Sequence, residues 1–261
     1  MAWLKINIRR EARIIGGLLL VGALIAFSER KHHVITIRDV HIRMQNIGDN
    51  HFMDESDITK LMATDIEALR GADVKSIDLN EIEKRIRQDS YVKEAELYND
   101  LKGNLVVNVR LRRPLARIVR NDGPDGYIAE DGTIMPASDK FTSRTTLISG
   151  ERAASLLQSD NIAASEEGRA LLELLQYIQA DEFWKAQIAQ LDIDSKGRIS
   201  MYPQVGDERI EFGRPENFER KFAKLSIYYK EILPRTGWNK YGRVNLEYEG
   251  QIVAERNPGH N

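Results

Sequence analysis

Residues 79–118 read LNEIEKRIRQDSYVKEAELYNDLKGNLVVNVRLRRPLARI, and a helical period gives way to a strand period within them. Leu79, Ile82 and Ile86 fall on one helical face, and Asp78 with Glu81 makes a capping-box pattern before it. Residues 91–98 predict a strand, and the polar segment 99–104 a turn. Leu105, Val107, Val109 and Leu111 then alternate with Val106, Asn108, Arg110 and Arg112, the pattern of a half-buried strand. Arg113-Pro114 ends it.

Upstream, residues 34–44 predict a further strand. Ile35 and Ile37 share one phase and Val40, Ile42 and Met44 the other, so the slip at Arg38-Asp39 predicts a bulge. Gly48-Asp49-Asn50 reads as a turn. Asp54 and Asp57 open a helix whose face is Ile58, Leu61, Met62, Ile66 and Leu69, and Gly71 can end it. The order strand, helix, helix, strand, strand makes a small α/β unit over 34–113, with two helices on one face of a three-stranded sheet.

Still nearer the start lies IIGGLLLVGALIAF, residues 14–27, fourteen residues without a charge. Arg9, Arg10 and Arg13 precede it; Glu29, Arg30 and Lys31 follow. As a helix it spans about 21 Å, short against a bilayer core of about 30 Å, although Arg13 and Arg30 can extend it by snorkelling. Three readings stay open from the residues alone: a membrane anchor, a signal peptide cleaved near Ala26-Phe27-Ser28, and a buried core helix. The first two put the chain after about residue 34 outside the cytoplasm. Residues 1–13, with Trp3, Leu4, Ile6 and Ile8, read as a short cytoplasmic tail at the membrane surface.

Downstream, residues 115–119 predict a strand and residues 127–135 a hairpin turning at Asp131-Gly132. Residues 151–165 carry little pattern and read as a loop or the start of a helix. Leu171, Leu174, Leu175 and Ile178 mark a helix, with Phe183 and Trp184 beyond it. Strands follow at 188–193, 198–202 and 209–212. A helix over 216–233 carries Phe218, Phe222, Leu225, Tyr229 and Ile232 on one stripe, and Pro234 is expected to end it. Two last strands, 243–249 and 251–256, join at Glu249-Gly250, and Asn257-Pro258-Gly259 stops further pairing.

Composition narrows the function. The 261 residues hold 38 basic and 40 acidic side chains, a net charge of −2, which argues against nucleic acid as the main partner. There is no cysteine, so disulfides, thiol catalysis, cysteine–zinc sites and a lipoprotein anchor are excluded. Ser28-x-x-Lys31 and Ser159-Asp160-Asn161 match fragments of a penicillin-binding constellation, but the chain has no Lys-Thr-Gly. Neither GxSxG, a P-loop nor GxGxxG occurs. His32, His33, His41, His51 and His260 have no metal-ligand spacing. A non-enzymatic protein without cofactor or metal is expected.

The linear order of parts resembles the FtsQ/DivIB bacterial cell-division family, whose first extracytoplasmic module is a POTRA domain. The aromatic-Val pair Tyr91-Val92, the hairpin ending in basic residues, Pro114 and Ala116 carry the first part. Tyr127, Asp131-Gly132 and Leu147-Ile148-Ser149-Gly150 carry the second. The family closes with Val-Asp-Leu-Arg-Tyr, where this chain has Val244-Asn245-Leu246-Glu247-Tyr248, so an ion pair built on that arginine is not expected.

The resemblance implies an α+β protein with a cytoplasmic tail (1–13), an uncleaved transmembrane helix (14–33), a POTRA-like β-α-α-β-β domain (34–113), a mixed α/β domain with an antiparallel sheet flanked by helices (114–256) and a flexible tail (257–261). It also implies a single-pass inner-membrane scaffold at the division septum. Its partners would be small bitopic coiled-coil division proteins of the FtsB and FtsL kind. A POTRA-containing periplasmic chaperone or secretion component is the alternative; that needs a membrane barrel of many ~10-residue strands, for which the helix-containing second half leaves no room.

The partner-binding residues expected are Glu247, Tyr248, Glu249, Gly250, Gln251 and Val253. A last strand at a sheet edge can accept a partner strand through its backbone. Tyr248 has a second reading: continuing the Val244-Leu246 face, it would pack under the 216–233 helix.

Overall fold

The computed structural model describes residues 36–46, 48 and 51–257, with 17 and 20–22 from the N-terminal run. The expected tail 1–13, most of the expected anchor and of the 48–50 turn, the first two residues of the expected 34–44 strand, and residues 258–261 lie outside the described residues. Among the described residues no helix is long and apolar enough to cross a membrane.

The first unit is built on β1 (Val40–Gln45), β2 (Val92–Asn99) and β3 (Leu105–Leu111), in the order β1-β3-β2. β1 runs parallel to β3, and β2 antiparallel to it. Between β1 and β2 come α1 (Glu55–Met62), α2 (Ile66–Leu69), a 3₁₀ turn (Val74–Ser76) and α3 (Leu79–Arg87). Asp54 and Asp57 form a reciprocal capping box at α1. The expected single helix through Leu69 is broken at Ala63, whose φ of 49° is left-handed, and Asp65 caps a new turn. The slip at Arg38-Asp39 is a break rather than a bulge: Ile37 exchanges backbone bonds with Gly71 and Ala72 outside the sheet, and Asp39 accepts from the Val40 amide and from Arg70. Ile58, Met62, Ile82, Ile86, Val107, Val109 and Leu111 close a single core; full burial of such a side chain stabilises by about 1.5–3 kcal/mol.

The second unit is one nine-stranded sheet in the order β12-β11-β10-β9-β8-β7-β4-β5-β6. The strands are β4 (Pro114–Ile118), β5 (Gly126–Ala129), β6 (Ile134–Pro136), β7 (Thr146–Ser149), β8 (Ile188–Ile193), β9 (Ile199–Pro203), β10 (Arg209–Gly213), β11 (Tyr241–Asn245) and β12 (Val253–Arg256). The sheet is mixed, not antiparallel as expected. Pairs β4·β7, β7·β8 and β10·β11 are parallel; helical crossovers return the chain in the same direction for the last two, and the β5-β6 hairpin with the loop after it does so for the first. The crossover from β7 to β8 holds α4 (Ala153–Leu156), a 3₁₀ turn (Ile162–Ala164), α5 (Glu166–Ala180) and α6 (Glu182–Gln187). That from β10 to β11 holds α7 (Phe218–Ile227), a π turn (Tyr228–Ile232) and α8 (Leu233–Thr236).

The register sets Ile134, Ile128, Ala116, Leu191, Met201, Ile210, Val244 and Ala254 on the helix-covered face. Arg117, Gln190, Tyr202, Asp192, Ser200, Glu211 and Asn245 lie on the other. The final helix does not end at Pro234. Proline lacks the amide that would bond one turn back, and the π turn before it loosens the helix where the ring would clash, so the helix continues to Thr236.

The two units meet on an aromatic cluster. Phe52 stacks on Tyr91 at 5.2 Å and stands edge-on to Tyr127 at 4.9 Å and Phe141 at 5.2 Å. Around it Arg112 pairs with Asp131 at 3.0 Å, the Tyr91 hydroxyl donates to the Pro136 carbonyl at 3.0 Å, and Lys140 reaches Asp54 at 3.0 Å and also Asp57.

Candidate functional site

β12 is the last strand of the sheet, and among the described residues nothing pairs with its outer side. Asn257 donates its amide to the Lys240 carbonyl at 2.9 Å. Alternation along β12 turns the amides of Glu255 and Val253 the same way, towards β11, and those of Ala254 and Arg256 outward. β11 and β12 are shorter than the sequence suggests. The alternation of Val244, Leu246 and Tyr248 continues past Asn245, but the chain leaves the sheet there and returns at Val253.

Glu247, Tyr248, Glu249, Gly250 and Gln251 therefore stand in one connecting loop beside the edge, all exposed, and Val253 opens the edge strand. Tyr248 is 53% exposed and does not pack under the helix. Glu247 lies over Gly213, where an added Cβ would come within 2.7 Å of its Cγ; the φ of 75° at Gly213 also suits glycine.

Beneath β12 the open face carries a charge ladder. Glu211 of β10 accepts from Arg243 of β11 at 2.7 and 2.6 Å, from Arg209 at 2.7 Å and from Asn245 at 2.7 Å. Arg243 also reaches Glu255 of β12. The Arg243 guanidinium, outweighing partial burial and helped by Arg209 and Asn245, pulls the Glu211 carboxyl down to about 2. From the helical side, the Lys224 ammonium of α7 donates to the carbonyls of Leu246 at 2.6 Å, Tyr248 at 2.7 Å and Gln251 at 3.4 Å. Sequence reading missed Lys224 and the ladder.

A reactive centre would need converging groups elsewhere. A cleft of about 690 Å³ opens between α4, the start of α5 and the β8–β9 turn, lined by Leu156, Leu171, Ile193, Ile199 and Pro215 with Arg152 and Arg214. Its remaining polar lining is Ser155, Ser159, Ser165, Glu166, Glu167 and Glu216, and Glu167 is paired with Arg152. Ser159 at its rim donates to the carbonyl of Asn161, at 2.8 Å, and accepts from the amide of Asn161, at 3.2 Å. Asn161 in turn caps the 3₁₀ turn and binds the Asp131 carbonyl at 3.0 Å, so Ser159-Asp160-Asn161 is a turn element. Glu208 is buried against the Tyr229 hydroxyl at 2.9 Å, and burial pushes its carboxyl up. Among the described residues no group of three His, Cys, Asp or Glu is placed to hold a metal.

Comparison with known proteins bears on both units. The family described as FtsQ/DivIB, C-terminal related, matches residues 113–255, and the POTRA-like domain matches residues 36–110. The chain is similar to a protein of Salinibacter ruber named cell division protein FtsQ. The two are 23% identical over 196 residues, which cover 72% of this chain and 74% of that protein.

Proposed function

The chain belongs to the FtsQ/DivIB family, and from that premise we propose that it is a non-enzymatic scaffold of the septal division complex. In this reading residues 14–33 anchor it in the inner membrane, and 34–113 and 114–256 stand outside the cytoplasm as two domains. A small coiled-coil division protein of the FtsB or FtsL kind adds a strand to the outer side of β12. The single observation that carries the reading is that outer side: two outward amides, Ala254 and Arg256, on a strand that ends the sheet. An unpaired edge of this kind gives affinity through the backbone, and alternate side chains give selectivity. Glu247, Tyr248, Glu249, Gly250, Gln251 and Val253 flank the approach. With Glu247, Glu249 and Glu255 around it, the incoming segment carries basic side chains, each exposed pair contributing only about 0–1 kcal/mol.

The test is the full chain with Ala254→Pro, which deletes an outward donor and leaves the β11-facing amides in place. Val253→Pro would instead open the hairpin itself. The probe is the extracytoplasmic segment of the same organism's FtsB-like protein. Capture weakened by about tenfold or more, with an unchanged circular dichroism spectrum, is expected; undiminished capture overturns the edge reading. An N-terminal residue near Glu29 in the membrane-extracted protein would remove the anchor.

A further inference from the structure

We infer that Lys224, on the helix behind the sheet, is the positioning residue that fixes the β12 edge for its partner strand. The inference deepens the proposed function and rests on it. The connection between β11 and β12 spans residues 246–252. The loop turns once, at Glu249–Gly250, where Gly250 takes a φ of 70°, and among the described residues no backbone–backbone hydrogen bond ties that turn to the helix or the sheet. Its first residue is tied by the Leu246 amide to the Glu211 carbonyl at 2.9 Å, and its second by the Glu247 amide to the Asn245 side chain at 2.8 Å. Beyond Glu247, the backbone fixings are the Tyr248 and Gln251 carbonyls on the Lys224 ammonium, which also holds that of Leu246.

An ammonium has three donors and no acceptor, so three carbonyls around it use its whole capacity. Hydrogen bonds to a charged donor are about twice as strong as neutral ones. The head group is partly withdrawn from water, which pushes its pKa down against the pull of Glu249. Glu249 is held only loosely, by Arg220 at 3.8 Å. The Lys224 cage therefore joins the two ends of a loop whose short turn, at Glu249–Gly250, is otherwise held only by the loose Arg220–Glu249 pair. Without it, Gln251 is released, and Ile252 and Val253 enter β12 from a wandering loop. The outward amides of Ala254 and Arg256 then no longer face a partner in one register.

The experiment compares full-length Lys224→Met with the parent by amide hydrogen exchange and by capture of the FtsB-like segment. Methionine keeps the apolar stem and removes the donors. Exchange at Val253 and Glu255 is expected to quicken by about tenfold or more, exchange in β8 and β9 to stay as in the parent, and capture to weaken. Lys224→Arg, which restores charged donors, is expected to recover both. A merely structural role would speed exchange across β8 and β9 as well, and that result overturns the assignment. Unchanged exchange at β12 overturns it too. Quickened exchange with undiminished capture supports Lys224 as the loop's anchor and overturns the edge reading itself. Lys224→Gln repeats the test with a shorter neutral head should the methionine variant fail to fold.

Discussion

At one end of the nine-stranded sheet, the outer side of β6 is occupied by the chain's own residues 160–162. Ile134 donates its amide to the Asp160 carbonyl and Ile162 to that of Gly132, both at 3.0 Å, while Phe52 and its aromatic neighbours cover the open face. At the other end, β12 has no such cover among the described residues, and β12 and the exposed loop beside it present three glutamates within nine positions. Both are edges of one sheet, so the difference is not in strand chemistry. It lies in which backbone groups are spent within the molecule. The edge that is filled internally lies at the joint between units; the edge left open keeps backbone groups that could pair with another strand.

The largest effect should fall at the sealed end. Phe52→Ala empties a space between Tyr91, Tyr127 and Phe141 and should destabilise by about 3–5 kcal/mol in urea. A loss no greater than that of any change at β12 would break the comparison. Glu211→Gln weakens the ladder under the open edge and should cost about 1 kcal/mol. Its signature is in pH. The Glu211 carboxyl lies below its ordinary value of 4.5, so its contribution is complete above that value and is lost as pH falls through about 2. Acid titration should show the parent and variant differing near neutrality and converging at the acid end; a constant gap would sink the assignment. The smallest effect is Lys140→Met. Lys140 is about half exposed over Asp54 and Asp57, so removing its charge should leave the melting temperature near the parent's, and high salt should erase what difference there is.

The elements of the first unit were legible because each carries its own period. Leu79, Ile82 and Ile86 fall on the buried side of α3, and Leu105, Val107, Val109 and Leu111 are buried along β3 as their alternation predicts, although Val106 of the opposite phase is buried too. Ala63 was not legible: alanine favours helix, yet here it is the left-handed C-cap of α1, its amide on the Lys60 carbonyl, and Asp65 caps the next turn. The direction of the strands in the second sheet was hidden as well, because two strands look alike in sequence whether they pair parallel or antiparallel. At the candidate site, periodicity misled. Val244, Leu246 and Tyr248 keep alternating after the ladder has ended, since a loop can alternate without pairing. Lys224 left no trace because its three acceptors are backbone carbonyls, which every residue has.

The π turn at Tyr228–Ile232 holds one residue more than a regular helix would need. That surplus lets Tyr228 and Tyr229 both face inward and carries the helix past Pro234. It also makes the helix sensitive to length in one direction. Deleting Lys230 would restore a regular α-helix on paper, but everything after it would swing by about 100°. Leu233 would leave the core, and Pro234 would meet the preceding turn with no slack to receive it. Relatives with a shorter helix here would have to lose the proline together with the extra residue, so the two form a single unit of insertion and deletion.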